Sequence, residues 1–107
     1  LLSGHVHTQV TLVSREVSEH NTALCFEFEP QWRKYILTKG YIAVDGISLT
    51  LGEVSDTQFW LHLIPETLRV TTLSTREIGD KLNIEIDSQT QAIVDTVERV
   101  LAQQASS

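Results

Sequence analysis

Hydrophobic and polar positions follow a period of two in several short, β-prone segments of this 107-residue chain. Such alternation is typical of strands with one face in a core and the other in water. The segments cover residues 10–13, 22–29, 41–44, 47–51, 58–63 and 81–86. Turn-forming residues separate them at positions 19–21, 30, 45–46, 55–56 and 78–80. Short strands with frequent turns predict an all-β domain, either an antiparallel barrel or a sandwich.

The pattern changes to a helical period near the carboxyl end. Apolar residues recur there on one helix face, the helix stripe, which consists of Ile93, Val97, Val100 and Leu101. Ser88 and Gln91 form a capping-box pattern, which predicts a helix over about 88–104 with a frayed tail from 103. Shorter helical turns are predicted over 31–36 and from Pro65. A closed barrel needs no outer helix, so the stripe is expected to lie against the barrel end or another subunit.

Composition narrows the class of protein. The length allows one domain, and 41% hydrophobic residues fit a globular protein. A net charge of −6 without a basic stripe is unfavourable for nucleic-acid binding. No apolar run approaches the roughly 20 residues that span a bilayer. The single cysteine, Cys25, excludes an internal disulfide, suits a reducing cytoplasm, and is predicted to be a packing residue.

Candidate chemistry concentrates in the segment that contains Asp45-Gly46, which predicts a tight hairpin turn. Ser48 and Thr50 share one face of the second strand because side chains alternate. Lys39 precedes the first strand. A small ligand can therefore meet a cation, a carboxylate and two hydroxyls. The alternative is an exposed hairpin with a solvated edge.

Other groups of polar residues give weaker indications of a functional site. His5 and His7 share a strand face, but a stable metal site needs further ligands and none is suggested by the context of the other histidines, so no metal site is expected. The chain lacks a glycine-rich phosphate loop, so a nucleotide cofactor is not expected. Asp87 precedes the predicted helix, as an N-cap or its neighbour, or as a carboxylate that acts on a ligand.

The hairpin segment also resembles a known family. Lys39-Gly40-x-Ile42-x-Val44-Asp45-Gly46-Ile47-Ser48-Leu49-Thr50 is similar to the signature of the lumazine-binding repeat of riboflavin synthases. The resemblance extends in the same order through Ser3-Gly4-His5, residues 63–68, 70–73 and 78–87, and the final helix over 89–101. It implies a single domain, a small six-stranded Greek-key barrel over about 1–87 with short helices and a C-terminal amphipathic helix.

The resemblance also implies a function. The family enzyme converts two molecules of 6,7-dimethyl-8-ribityllumazine into riboflavin and a ribitylamino-pyrimidinedione, without a metal or organic cofactor. Each of its active sites lies between an N-terminal and a C-terminal barrel, and the full enzymes are trimers. This chain, which does not begin with Met, is similar to the C-terminal barrel. The expected partner is the twin barrel or a second copy, and the isolated domain is expected to bind ligand with little turnover. The alternatives are a non-catalytic antenna-type protein and a structural barrel.

Site residues follow from the resemblance position by position. The implied ligand contacts are Gly4, His5, Val6, Lys39, Ser48, Leu49, Thr50, Ile64, Pro65, Glu66 and Thr67. The candidates for proton handling, or for holding the reacting groups, are His5, Asp45, Ser48 and Asp87. Loss of a proton from an acidic ring methyl group requires a carboxylate or histidine nearby. Which of these residues is the base stays open.

Overall fold

A computed structural model describes residues 7–105 of the chain. The elements in chain order are β1 (Thr8–Val17), β2 (Thr22–Glu27), a 3₁₀ helix (Pro30–Tyr35), β3 (Tyr41–Val44), β4 (Ile47–Thr50), β5 (Gln58–Leu63), α1 (Pro65–Val70), a second 3₁₀ helix (Thr72–Thr75), β6 (Lys81–Ile86) and α2 (Ser88–Ala105). All six predicted strands are present, and the 3₁₀ helix over Thr72–Thr75 was not predicted. In this part of the chain, no helix has the length and apolar character needed to cross a membrane.

The strands form one antiparallel sheet that curls into a nearly closed barrel. The strand order is β4-β3-β6-β1-β2-β5, so β6 inserts between β1 and β3. Val54, in the segment after β4, forms a bridge with Phe59 of β5 and brings the two edge strands together. The prediction of a six-stranded barrel is therefore confirmed, and the sandwich alternative is wrong.

The barrel interior is filled by the inward residues of the alternating strands. Phe59 is fully buried, and its ring lies 5.3 Å from Phe26 and 6.0 Å from Phe28, measured between ring centroids. Cys25 is also buried, which confirms its packing role. Burial, together with the nearby charge of Glu27, raises the pKa of its thiol. The cysteine is therefore a poor nucleophile at neutral pH.

The alternation of β6 predicts an exposed Glu85, and this prediction is wrong because its side chain is only 7% exposed. Glu85 pairs with Ala43 of β3, and β1 flanks β6 on its other side. Asn83, two residues earlier on the same face of β6, is exposed as predicted, so the burial of Glu85 depends on what covers this end of the strand. The period-two pattern alone contains no information about that covering.

Helix α2 leaves the barrel after β6 and presents its apolar stripe to solvent. Val94 packs against the core. Tyr35 donates a hydrogen bond of 2.5 Å to Asp95, and Lys34 pairs with Glu98 at 2.9 Å. The stripe residues are 44–64% exposed, so the barrel's own core does not cover them. The predicted fraying is wrong up to residue 105, since the helix continues through that position.

Candidate functional site

The β3–β4 hairpin has the tight turn that its sequence predicts. Asp45 and Gly46 have φ angles of 48° and 85° between the paired residues Val44 and Ile47. Both angles lie in the left-handed region, which Asp and Gly tolerate better than other residues and which a two-residue hairpin turn requires. The turn sets the register of β4. Ser48 and Thr50 consequently share the exposed face of that strand.

Asp45 has partners for both carboxylate oxygens. Oδ1 accepts a hydrogen bond of 3.1 Å from the backbone N–H of Asn83, and Oδ2 accepts one of 2.5 Å from Arg76. The Asp45 side chain is only 15% exposed and that of Arg76 is 34% exposed. The carboxylate therefore ties the hairpin turn to β6 and the loop before it. Sequence reasoning missed Arg76, because it lies 31 positions from Asp45 in an unpatterned loop.

Lys39 lies at the opposite end of the hairpin. Its φ of 69° bends the chain into β3, and its backbone N–H donates to the carbonyl of Leu51 at 3.0 Å. The whole of β3 separates Lys39 from Asp45, at roughly 3.3 Å per residue. The structure thus does not bring the lysine and the Asp45 carboxylate to one small ligand.

Asp87 belongs to the Lys39 end of the hairpin. It follows Ile86, which pairs with Ile42 of β3, whereas the Asp45 turn lies beyond the pair of Val44 and Ile84. Of the two carboxylates proposed for proton handling, Asp87 is therefore the nearer in register to Thr50, which pairs with Tyr41.

The Asp87 carboxylate caps helix α2. Oδ2 accepts hydrogen bonds from the backbone N–H of Thr90 at 3.0 Å and from its hydroxyl at 3.1 Å. These bonds, the backbone one first, lower the pKa of Asp87. The capping box at Ser88 is wrong, because Ser88 is already the first helical residue. Asp87 supplies the cap through the spacing Asp87-x-x-Thr90.

Replacing Asp87 with alanine is expected to lower the free energy of unfolding by about 1 kcal/mol at neutral pH, the usual value of an N-cap. Because the folded-state pKa is lowered, the carboxylate's contribution is present above the unfolded pKa and is lost as pH falls through the folded one. The difference between wild type and Asp87→Ala should therefore shrink in acid. Denaturant titrations at pH 7 and pH 3 measure it, with exposed Asp56→Ala as control. An equal difference at both pH values would contradict the capping role.

The two edge strands leave a gap that we call the open seam, between Ser48–Thr50 and 62–64. Leu51 directs its backbone to the residues just before β3: its N–H donates to the Gly40 carbonyl, and its carbonyl accepts from Lys39. Successive residues of an antiparallel strand alternate in direction, so Ser48 and Thr50 direct their backbone groups towards β5. Trp60 directs its backbone to Gly52 and Glu53.

On the β5 side, His62 faces the seam by the same alternation. Within residues 7–105, no backbone hydrogen bond joins β4 to β5 across the open seam. Backbone donors and acceptors on both sides are consequently available to a ligand.

The strand-to-helix junction at the end of β5 borders the open seam. Ile64 is 56% exposed and precedes Pro65, which begins α1 as predicted. Thr67 donates its backbone N–H to the Ile64 carbonyl at 3.1 Å. Glu66 is exposed and Thr67 is half-buried. The junction thus presents an exposed apolar side chain at the end of β5 and a hydroxyl in the first turn of α1.

The remaining predicted ligand contacts are Leu49 and three residues near the amino end of the chain. Leu49 is half-buried and packs against the core, so its side chain supports β4 from within. Gly4, His5 and Val6 lie outside the described residues. His7, next to them, accepts a hydrogen bond of 2.9 Å on Nδ1 from the backbone N–H of Ile86.

Comparison with known proteins assigns the family. The family model of the lumazine binding domain matches residues 3–87, which include the whole hairpin and all six strands. The chain belongs to the lumazine-binding domain family. Riboflavin synthase of Escherichia coli (strain K12) is 55% identical over 103 residues, which are 95% of this chain and 48% of that protein. Riboflavin synthase of Chlamydia pneumoniae is 43% identical over 102 residues, 95% of this chain and 49% of that protein.

Solved structures share the fold of this lumazine-binding domain. LumP complexed with flavin mononucleotide matches with a TM-score of 0.77 and 22% identity, covering 82% of this chain and 50% of that one. LumP complexed with 6,7-dimethyl-8-(1'-D-ribityl) lumazine matches with a TM-score of 0.76 and 21% identity, covering 80% and 49%. The chain spans about half the length of the riboflavin synthases and LumP structures that it matches.

Proposed function

We propose that this domain binds 6,7-dimethyl-8-ribityllumazine and riboflavin at the open seam and forms half of a riboflavin synthase active site. The observation that carries the proposal is the open seam itself. A pteridine-dione ring presents ring carbonyls and an N–H at its edge, the same groups that a neighbouring strand would present. The edge backbone of Ser48 and Thr50 is complementary to that pattern.

The side chains around the open seam suit the rest of the ligand. The exposed hydroxyls of Ser48 and Thr50 can bond the ribityl hydroxyls or ring oxygens, and Ile64 offers an apolar surface to the ring. Lys39 provides a cation for anionic character on the ring. Asp87 is the carboxylate at this end of the hairpin, but its lowered pKa makes it a weak base. In the proposed reaction it holds the reacting groups in place.

The reaction requires a second barrel. Moving a four-carbon unit between two lumazines, a transferase reaction, needs the two rings stacked face to face, and one open seam holds one ring. The matched riboflavin synthases are about twice as long as this chain, which leaves room in them for a twin barrel. The exposed helix stripe is suited to burial in an assembly such as the family's trimer. No metal or organic cofactor is required, because the substrate ring stabilises the carbanion.

Fluorescence titration of the domain with 6,7-dimethyl-8-ribityllumazine tests the proposal. We expect saturable binding at one ligand per chain and little or no riboflavin formation. Absence of binding would refute the site. Turnover at the rate of a two-barrel enzyme would refute the half-site, and with it the need for a twin.

Ser48→Ala and Thr50→Ala are each expected to weaken lumazine binding by about three- to tenfold with the fold intact, because each removes one hydroxyl hydrogen bond worth about 1 kcal/mol. Thr57→Ala, an exposed threonine just before β5, is the matched control and should bind normally. Dissociation constants from the same titration, with thermal unfolding in parallel, measure the effect. Unchanged affinity in both variants would move the site away from β4.

A further inference from the structure

A side-chain contact crosses between the two edges of the barrel at one end of the open seam. His62 Nε2 lies 2.7 Å and 3.2 Å from the two carboxylate oxygens of Glu53. Glu53 belongs to the segment after β4, and His62 belongs to β5. The contact with His62 is the main cause of the lowered pKa of Glu53, so the carboxylate is charged at neutral pH. This pair joins the edges where the backbone hydrogen bonds between them end.

The imidazole is confined although 42% of the His62 side chain is exposed. A Cβ atom at Gly52 would come within 2.7 Å of His62 Cδ2, so the ring lies directly on the Gly52 backbone. The indole of Trp60 lies nearly parallel to it, at 14° and 6.5 Å between centroids. Three neighbours therefore hold the ring: a carboxylate, a glycine backbone and an aromatic side chain.

The Glu53–His62 pair lies at a defined point in the alignment of the two barrel edges. Backbone pairing between the edges ends at Trp60, which accepts from Gly52 at 2.8 Å and donates to Glu53 at 2.9 Å. Two residues thus oppose one, as in a β-bulge. Continuing the register beyond the bulge places Thr50 opposite His62 and Ser48 opposite Ile64. The Glu53–His62 pair therefore lies at the boundary between the paired part of the edges and the open seam.

We propose that Glu53 and His62 form a clasp that fixes the width of the open seam, with His62 as a positioning residue for the ligand ring. The inference rests on the proposed lumazine site and adds the residues that hold its two sides at a fixed distance. Hydrogen bonds weaken steeply with distance and angle, so backbone groups on both sides can bond one flat ring only at one separation. A side-chain pair this exposed to solvent contributes little to global stability. The clasp acts on binding through preorganisation.

The test compares Glu53→Ala, His62→Ala, the double variant and Glu53→Gln in lumazine titrations. We expect about a tenfold loss of affinity in each alanine variant and no further loss in the double variant, because both remove the same clasp. Glu53→Gln keeps a hydrogen-bond acceptor for the imidazole and should retain most of the affinity. The emission spectrum of the bound lumazine should change in the alanine variants and recover in Glu53→Gln.

The matched control is His20→Ala. His20 also lies beside a glutamate, Glu19, at 3.8 Å, but both side chains are 87% exposed and the pair is in the β1–β2 turn. This variant should bind lumazine normally. All variants should melt within a few degrees of wild type. Additive losses from Glu53→Ala and His62→Ala would overturn the clasp, because they would mean that the two residues act on the ligand separately.

Amide hydrogen exchange of the ligand-free domain separates this inference from the proposed function. The amides of Gly52 and Trp60 donate the two bonds beside the clasp, and they should exchange faster in Glu53→Ala and His62→Ala than in wild type or His20→Ala. Unchanged exchange in both alanine variants would overturn the clasp even if wild type binds lumazine. Absent lumazine binding by wild type would refute the proposed function, while faster exchange would still support the clasp as the closure of the barrel edge.

Discussion

Replacing Phe59 with alanine is expected to lower the free energy of unfolding by about 3–5 kcal/mol, a large share of the total stability of a domain of this size. Phe59 is fully buried at the point where the barrel closes. Its backbone bridges to Val54, and its ring contacts Phe26 and Phe28. Alanine would leave a cavity among strands that the curled sheet holds in place, so the neighbours can fill it only in part.

Denaturant unfolding of Phe59→Ala measures the loss. Tyr41→Ala is the matched control, because Tyr41 is an aromatic strand residue whose side chain is 58% exposed. The control should lose far less stability than the core variant. Similar losses in the two variants would mean that Phe59 is not central to the core that closes the barrel.

The second large effect is expected for Asp45→Ala, which should destabilise the domain by about 2–3 kcal/mol. Removing one partner of a buried ion pair costs about 3–5 kcal/mol, because the other charge is left unpaired. The Arg76 side chain is 34% exposed, and water therefore compensates part of this cost. The backbone N–H of Asn83 also loses its acceptor. If Asp45 has this structural role, Asp45→Ala lowers the stability of the domain and does not affect the chemistry alone.

Four variants distinguish the structural role of Asp45 from a role in proton handling: Asp45→Asn, Asp45→Ala, Arg76→Ala and the double alanine variant. Asp45→Asn keeps an acceptor for the Asn83 N–H and tolerates the left-handed φ of 48°, so it should lose less stability than Asp45→Ala. Arg76→Ala with Asp45→Ala should be less destabilising than the sum of the single variants. Normal stability of Asp45→Ala, with lost turnover in a two-barrel protein, would instead assign Asp45 to the chemistry.

The β3–β4 hairpin shows which structural features can be predicted from adjacent residues. Asp45-Gly46 predicted the turn because only a few residues tolerate its left-handed backbone angles, and the turn then fixed which side of β4 carries Ser48 and Thr50. Pro65 likewise predicted the start of α1, since the first helical position needs no N–H. These features depend on neighbouring residues, so they can be predicted from the sequence.

Contacts between segments that are distant in the chain could not be predicted from local sequence patterns. Arg76 has no local pattern that connects it with Asp45, and Glu85 is buried whereas Asn83 on the same face of β6 is exposed. The N-cap of α2 also differs from the prediction, and the cause again lies outside the local pattern. Ser88 and Asp87 both satisfy the general preference for an N-cap, and the end of β6 decides which of them precedes the first helical residue.

The sequence by itself determined the number of strands, the tight turn, the helix stripe and, through the family resemblance, the set of candidate ligand contacts. Alternation, turn chemistry and helical spacing are properties of adjacent residues. Only the tertiary structure decided that β4 and β5 meet as edges, that no backbone hydrogen bond within the described residues joins them across the open seam, and that Glu53 reaches His62. Those features depend on how the sheet curls, because closure brings together edges that are separate in the linear chain.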